Sequence, residues 1–145
     1  TAPAVRPVAG GESRSGALHD VHVLVVDDDA DGRYMLKSVL EGYGARVSIA
    51  ASAAEALSSL DKCVPDVLLS DIGMPEVDGI DLIAAIRVRS AERGGMIPAV
   101  ALTAFVTLGD CERALAAGFQ AHLAKPASPP ELVRVLSGLV RQTVV

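Results

Sequence analysis

Residues 68–79 of the chain read LLSDIGMPEVDG, an apolar run that ends in an aspartate and continues into a stretch rich in glycine and proline. The aspartate is Asp71. The breakers after it favour a loop, so its carboxylate is presented at the end of a strand and is not used to cap a helix. Asp78 is the better candidate for the cap of the next helix. This stretch therefore predicts a strand that delivers one free carboxylate to a loop.

Apolar runs and helical segments alternate along the rest of the chain. The apolar runs lie at 21–26, 45–49, 66–69, 97–102 and 121–124. The helical segments lie near 30–41, 52–61, 79–90, 107–117 and 128–140. Five strands that alternate with five helices predict an α/β fold, in which a parallel sheet is covered by helices on both faces.

Several helix ends carry local signals in the sequence. Ser52 with Glu55, and Ser128 with Glu131, have the spacing of capping boxes, in which two side chains satisfy free backbone donors at a helix start. Gly118 stands where a residue in the left-handed conformation would end the fourth helix. These signals agree with the helical segments that the spacing of apolar residues predicts.

The chain divides into three parts by composition. Residues 1–20 are rich in Pro, Gly, Ala and Ser without periodicity, which predicts a flexible linker. The regular pattern predicts one folded domain over 21–140, followed by a short C-terminal tail at 141–145. Because the chain starts at Thr1 and its first methionine is Met35, we expect it to be a piece of a longer protein.

Composition excludes several classes of protein. A formal net charge of −5 argues against a nucleic-acid surface, which needs a clustered basic face. No apolar run approaches the roughly 20 residues of a membrane span. Cys63 and Cys111 form no CxxC pair, so two buried reduced thiols are expected. We expect a cytoplasmic domain without membrane contact of its own, on a parent protein that could be membrane-anchored.

Polar side chains follow four of the apolar runs. Asp27 and Asp28 end the first run, Asp71 ends the third, and Thr103 and Lys125 end the last two. In a parallel sheet these ends lie on one edge, where open α/β folds place their sites. Three carboxylates, a hydroxyl and an ammonium would then meet in one pocket. That set suits a divalent metal ion and a phosphoryl group.

Three consecutive aspartates after an apolar strand place like charges next to one another, and these charges repel. A magnesium ion compensates such repulsion, since it takes one or two carboxylates and keeps several waters. We assign Asp27 and Asp28 to the metal and Asp29 to the cap of the first helix. A carboxylate beside a metal, with no nearby His or Ser base in the sequence, is suited to attack phosphorus. Asp71 is the candidate for that role.

The chain resembles the receiver domains of bacterial two-component signalling. The motifs that match in order and spacing are Val25–Asp28, Ser70–Pro75, Asp78–Gly79, Leu102–Ala104 and Ala124–Pro126. The match covers about residues 21–140. The resemblance implies a flavodoxin-like (βα)5 fold, a doubly wound parallel five-stranded sheet with strand order 2-1-3-4-5. It also implies a phosphoacceptor domain, and not an independent enzyme.

The same resemblance implies roles for individual residues. Asp71 accepts a phosphoryl group from a phosphohistidine, assisted by Thr103 and Lys125. Asp28 binds Mg2+ (or Mn2+) directly and Asp27 largely through water, while Asp71 and the backbone carbonyl of Gly73 complete the site. The Lys125–Pro126 peptide bond is implied to be cis, which proline permits.

One position departs from the family pattern. The family places Tyr or Phe three residues before the lysine, as a side chain that turns inward when Thr103 is drawn to the phosphoryl group. This chain has His122, which is either an exposed strand residue or a polar switch that titrates near neutrality. We expect His122 to stay outward, with Phe105 and the loop backbone carrying most of the change.

The resemblance also implies partners. A histidine kinase or a histidine phosphotransfer domain is the expected phosphodonor. The strings at 71–75 and 117–126 resemble receivers attached to hybrid sensor histidine kinases, so such a kinase is the expected parent protein. The fourth helix, last strand and fifth helix are the expected readout surface and a candidate for weak homodimer contacts.

Two other classes compete with this interpretation. A metal-dependent phosphohydrolase that forms an aspartyl phosphate carries Asp-x-Asp after its first strand, which Asp27 and Asp29 imitate. Such enzymes have Thr or Val two residues further on, whereas this chain has Asp31. A nucleotide- or flavin-binding fold lacks support, because no GxGxxG or Walker loop follows the first strand.

Overall fold

The structure of the protein is a computed structural model. It describes residues 18–72, 79–103, 108–125 and 127–143. Its five strands form one parallel sheet in the order β2-β1-β3-β4-β5. The strands are β1 (His22–Val26), β2 (Arg46–Ala50), β3 (Val67–Asp71), β4 (Ala99–Thr103) and β5 (Ala121–Ala124). The predicted fold class and strand order are confirmed.

In the part of the chain that the structure describes, five α-helices connect and follow the strands. They are α1 (Ala30–Gly42), α2 (Ala53–Lys62), α3 (Gly79–Arg87), α4 (Leu108–Ala117) and α5 (Pro129–Thr143). A short 3-10 helix, Ala91–Arg93, lies between α3 and β4. With α1 and α5 on one face of the sheet and α2, α3 and α4 on the other, the arrangement is doubly wound.

The sheet is buried on both faces because successive side chains of each strand point in opposite directions. In β1, Leu24 and Val26 pack toward α2, α3 and α4. Val23 and Val25 pack toward α1 and α5. All four are at most 1% exposed. This two-sided burial explains why the strands read as continuous apolar runs and not as alternating ones.

The helix caps predicted at Ser52 and Ser128 are present. The Ser52 hydroxyl accepts the Glu55 amide at 3.2 Å, and the Glu55 carboxylate accepts from the amide of Ala51, one residue before the cap. At the start of α5, the Glu131 amide donates to the Ser128 hydroxyl at 3.4 Å. Both helices therefore begin where a side chain satisfies a backbone donor that would otherwise lack a partner.

The third helix is shorter than predicted. It ends at Arg87 and not near residue 90, because the following segment turns tightly into the 3-10 helix. Gly95 sits so close to the preceding turn that a Cβ there would lie 2.0 Å from the Arg89 carbonyl oxygen. Gly94 has a φ of +98°, in the left-handed region that favours glycine. Gly94 and Gly95 thus allow the tight turn that follows the 3-10 helix, after the chain has already left the α-helix at Arg87.

An arginine joins the C-terminal ends of α3 and α4. The Arg87 guanidinium donates to the carbonyl of Gly118 at 3.0 and 2.8 Å, to the carbonyl of Gly95, and to the side chain of Gln120. Gly118 has a φ of +131°, and a Cβ there would lie 2.8 Å from Arg87 Cγ. The predicted left-handed residue after α4 is thus present, and it also makes room for Arg87.

The folded domain extends beyond its expected limits at both ends. Leu18, placed in the linker, is fully buried, and its amide donates to the Tyr43 carbonyl at 2.9 Å. At the other end, α5 continues to Thr143, into the expected tail. Residues 18–20 and 141–143 therefore belong to the folded body.

Two further observations bear on the expectations from composition. Cys63 is an exposed free thiol, because it follows the last turn of α2 at the surface, so the expectation that it is buried was wrong. Among the described residues, no helix is long and apolar enough to cross a membrane.

Candidate functional site

Two aspartates are placed side by side by the pairing of β1 with β3. Val26 is the register partner of Ser70, so Asp27 and Asp71, one residue further on, lie next to each other at the carboxyl edge. Asp27 is 1% exposed and Asp71 is 7% exposed. Two carboxylates this deeply buried need positive partners, because an isolated ionised carboxylate is costly to remove from water.

Lysine 125 supplies one of these partners. It follows β5, and its ammonium donates to Asp71 Oδ2 at 2.9 Å and to Asp27 Oδ2 at 3.3 Å. Burial lowers the pKa of Lys125, but the hydrogen bonds and charges of the two aspartates outweigh it and raise this pKa overall. Lys125 is therefore a fixed positive charge between the two buried carboxylates.

A third carboxylate completes an acidic cluster. Oxygens of Asp27, Asp28 and Asp71 all lie within 4.8 Å of one another, although the Asp28 side chain itself is exposed. Three carboxylates and one ammonium leave two negative charges, which a divalent cation would balance. Oxygen donors at this spacing, partly open to water, fit the requirements of Mg2+.

The first turn after β1 is ordered by its own side chains. Asp27 Oδ1 accepts the amide of Asp29 at 2.9 Å, and the Arg33 guanidinium donates to the Asp27 carbonyl at 2.8 Å. The Asp29 carboxylate accepts from the amide of Gly32 as the N-cap of α1. The prediction that Asp29 caps this helix is confirmed.

Thr103 is the last residue of β4 and is 6% exposed, at the same edge as Asp71. Its carbonyl accepts the Lys125 amide at 2.8 Å, which ties the ends of β4 and β5 together. The structure thus brings the predicted hydroxyl and ammonium to the edge that holds the carboxylates. Of the other predicted site residues, Gly73, Phe105 and the Lys125–Pro126 bond lie outside the described residues.

His122 lies in β5 opposite Ala101 of β4 and is half-buried. It precedes the edge by three residues, so it lies within the sheet and not at its carboxyl end. Its role as a switch stays a prediction.

A cleft of about 300 Å3 opens beside the acidic cluster. It is lined by Asp27, Asp29, Gly32, Met35, Leu36, Leu102, Lys125 and Ala127. Gly32 keeps this cleft open, because a Cβ there would approach carboxylate oxygens of Asp29 and Asp27 at 3.1 and 3.2 Å. Neither Gly32 nor Arg33 was identified from the sequence, since no motif spacing marks a residue that acts by clearance or through a backbone carbonyl.

The strand order and this acidic edge, with a lysine between two buried aspartates, define a flavodoxin-like receiver fold. The chain belongs to the response regulator receiver domain family, whose model matches residues 23–137. It is therefore a receiver domain of two-component signalling.

Individual relatives are similar to this chain over most of its length. The chain is 46% identical over 119 residues to an uncharacterized 14.6 kDa protein of Leptolyngbya boryana, covering 82% of this chain and 89% of that protein. It is 33% identical to hybrid signal transduction histidine kinase I of Dictyostelium discoideum, covering 89% of this chain but 8% of the kinase. The chain spans about half the length of the mycobacterial transcriptional regulators that it also matches.

Solved structures show the same similarity. The receiver domain of a sensor histidine kinase from Pseudomonas aeruginosa is 32% identical, with a TM-score of 0.77 over 84% of this chain and 98% of that one. That receiver carries a magnesium ion coordinated in its active-site cleft.

Proposed function

We propose that Asp71 is a phosphoacceptor, which takes a phosphoryl group from a phosphohistidine in a Mg2+-dependent reaction. The observation that carries this proposal is the placement of Asp71. Its carboxylate is buried at the strand edge, held by Lys125 at 2.9 Å, and within 4.8 Å of oxygens of Asp27 and Asp28. A carboxylate fixed in this way has its orientation set before a donor arrives.

In the proposed reaction, an oxygen of Asp71 attacks the phosphorus of the donor. The new P–O bond forms as the P–N bond to the donor imidazole breaks, and that bond's electron pair returns to the ring nitrogen. Lys125 supplies a point charge to the phosphoryl oxygens, and the Thr103 hydroxyl donates a hydrogen bond. A divalent ion held by Asp27, Asp28 and Asp71, with Gly73 through its carbonyl, would neutralise charge on the transferred group. Mn2+ is proposed as a substitute for Mg2+.

Several wider features of the function are proposed with it. The donor is a histidine kinase or a histidine phosphotransfer domain, and the chain is part of a cytoplasmic hybrid sensor kinase. The surface of α4, β5 and α5 carries the readout and permits weak homodimer contacts. We propose no nucleic-acid or membrane contact by this chain. Phosphorylation changes the loop after Thr103, with Phe105 moving and His122 staying outward.

The phosphohydrolase alternative is not favoured. That chemistry needs the second aspartate of the Asp-x-Asp pair as a free acid. Here that residue is Asp29, whose carboxylate is engaged by the Gly32 amide as the cap of α1.

The test is phosphorylation by acetyl phosphate with Mg2+, followed by mass spectrometry. We expect one phosphoryl group on the wild type, labile to base and hydroxylamine, and none on Asp71→Asn. Asp31→Asn is the matched control, because it removes an exposed carboxylate in the first turn of α1 and should leave the modification intact. Full modification of the Asp71→Asn variant would refute the assignment.

A further inference from the structure

Arg33 makes a contact that reaches the acidic cluster through the backbone. Its Nη1 donates to the carbonyl oxygen of Asp27 at 2.8 Å, from a position six residues later in α1. The side chain is half-buried, and its guanidinium carbon lies 5.5 Å from the centre of the Tyr34 ring. The guanidinium is therefore held on two sides and directed at one carbonyl.

That carbonyl belongs to the peptide unit that precedes Asp28. Because a peptide unit is planar, fixing the Asp27 carbonyl also fixes the plane that carries the Asp28 amide. The next peptide unit is fixed as well, since the Asp29 amide donates to Asp27 Oδ1 at 2.9 Å. The backbone of Asp28 is thus held on both sides, by Arg33 before it and by Asp27 after it.

This matters because the Asp28 side chain is exposed while its two neighbours in the cluster are buried. An exposed aspartate side chain has less packing to orient it than a buried one, so the position of its backbone matters more. Among the described residues, the hydrogen bonds from Arg33 and to Asp27 Oδ1 hold the peptide units on either side of Asp28.

We infer that Arg33 is a positioning residue for the divalent cation, a role that rests on the proposed function and deepens it. It acts through the peptide before Asp28 and does not itself contact the ion. Its charge has the opposite effect, because a guanidinium near a cation site repels the cation. Positioning and repulsion therefore predict changes of opposite sign when Arg33 is replaced.

The experiment is a Mg2+ titration, followed by backbone NMR, of the wild type, Arg33→Met, Arg33→Lys and a control variant. Arg33→Met should weaken Mg2+ binding by about tenfold, as is typical when a residue that orients a metal ligand is lost. Arg33→Lys keeps the charge but lacks the planar fork of donors, so its affinity should also fall. The titration is done well below the unfolding temperature of each variant.

Lys37→Met is the matched control. It removes the same charge one helical turn further along α1, where Lys37 is partly exposed and pairs with Glu41 at 3.6 Å. Its Mg2+ affinity should change by less than about twofold, because charges at that distance are screened by salt. Unchanged or tighter Mg2+ binding in Arg33→Met would overturn the role of Arg33.

Different results would contradict the proposed function and the role of Arg33. If the wild type neither binds Mg2+ nor accepts a phosphoryl group, the proposed function itself is wrong. If the wild type does both and Arg33→Met binds Mg2+ equally well, only the role of Arg33 is wrong. A shift of the Asp28 amide signal in Arg33→Met without Mg2+ would support positioning, since global stability does not move a single resonance of the folded state.

Discussion

The three aspartates of the cluster differ in how they are held. Asp27 and Asp71 are buried and share the Lys125 ammonium, whereas the Asp28 side chain is exposed. The buried pair contributes the fixed geometry of the site, and Asp28 contributes a carboxylate that water and a cation can both reach. Asp29, the next residue in the sequence, caps α1 and lines the adjacent cleft.

This difference predicts unequal effects of two neighbouring substitutions on metal binding. Asp28→Ala removes a proposed direct ligand, so Mg2+ affinity should fall by at least about tenfold. Asp29→Ala removes a helix cap, which costs about 1 kcal/mol of stability and should leave the affinity nearly unchanged. Isothermal titration measures the affinities and urea unfolding the stability. Equal loss of affinity in both variants would mean that ligand and cap are misassigned.

The lowered pKa of His22 predicts how the stability of the folded domain depends on pH. Burial and the charge of Arg46 lower its pKa below 6.5, against the opposing charge of Asp66. The ring shares a 2.7 Å hydrogen bond with the Ser48 hydroxyl of β2. The folded state thus favours the neutral ring. This contribution to stability is complete above the unfolded-state pKa and is lost as pH falls through the lowered folded-state pKa.

The measurement is the urea midpoint at about pH 8 and about pH 5. His22→Gln should lose less stability between these two conditions than the wild type, because it lacks the titrating ring. His19→Gln is the control, since the His19 side chain is 75% exposed. An identical pH dependence of wild type and His22→Gln would show that His22 does not contribute.

At the scale of secondary-structure elements, α3 and α4 are connected at their C-terminal ends. Arg87 joins their C-terminal ends through the carbonyl of Gly118. In sequence, α3 and α4 follow Asp71 and Thr103, the residues that end β3 and β4 at the site. We therefore expect a displacement at the site to reach two helices whose C-terminal ends are joined by one side chain.

This connection depends on the absence of a side chain at Gly118. Gly118→Ala should destabilise the domain by about 1–3 kcal/mol, because its φ is positive and its Cβ would collide with Arg87. Gly138→Ala in α5 is the matched control, since a Cβ there meets no atom within 4 Å. It should stabilise the helix by about 0.5–1 kcal/mol. Thermal unfolding of both variants tests the pair, and equal effects would contradict the strain at Gly118.

At the scale of the whole molecule, Lys125 connects the ends of β4 and β5 to the site. Its ammonium bonds to Asp71, the proposed phosphoacceptor, and its amide bonds to the Thr103 carbonyl. Phosphorylation should therefore perturb backbone NMR signals over 103–125 more than those over 45–60. Spectra with and without acetyl phosphate measure this directly. An even spread over both ranges would contradict a readout through α4 and β5.

The site was predictable from the sequence where its residues end strands. Asp27, Asp71, Thr103 and Lys125 were predicted to share one edge because the carboxyl ends of all strands in a parallel sheet lie on that edge. Which of them come into contact depends on the order of the strands. That order came from the resemblance to receiver domains, since periodicity does not say which strands pair. Arg33 was missed because a contact to a backbone carbonyl depends on how α1 leaves β1, which no spacing records.

The ends of the domain were predicted less well, for a related reason. Leu18 is a single apolar residue in a stretch of small and polar residues, so no periodicity marks it as part of the core. Its burial becomes visible only when its amide is seen to bond to Tyr43. The exposure of Cys63 likewise depends on the turn after α2 and not on the residue type.

The wide spacing of the lysine and its two aspartates along the chain has a consequence for synthesis. Lys125 lies 98 residues after Asp27 and 54 after Asp71. While the ribosome adds the intervening residues, the two carboxylates of the nascent protein have no ammonium between them. Because an ionised carboxylate is costly to bury without a positive partner, we expect the two carboxylates to be buried stably only after Lys125 has been added. A chain released before Lys125 would therefore lack this cluster even with its first three strands paired.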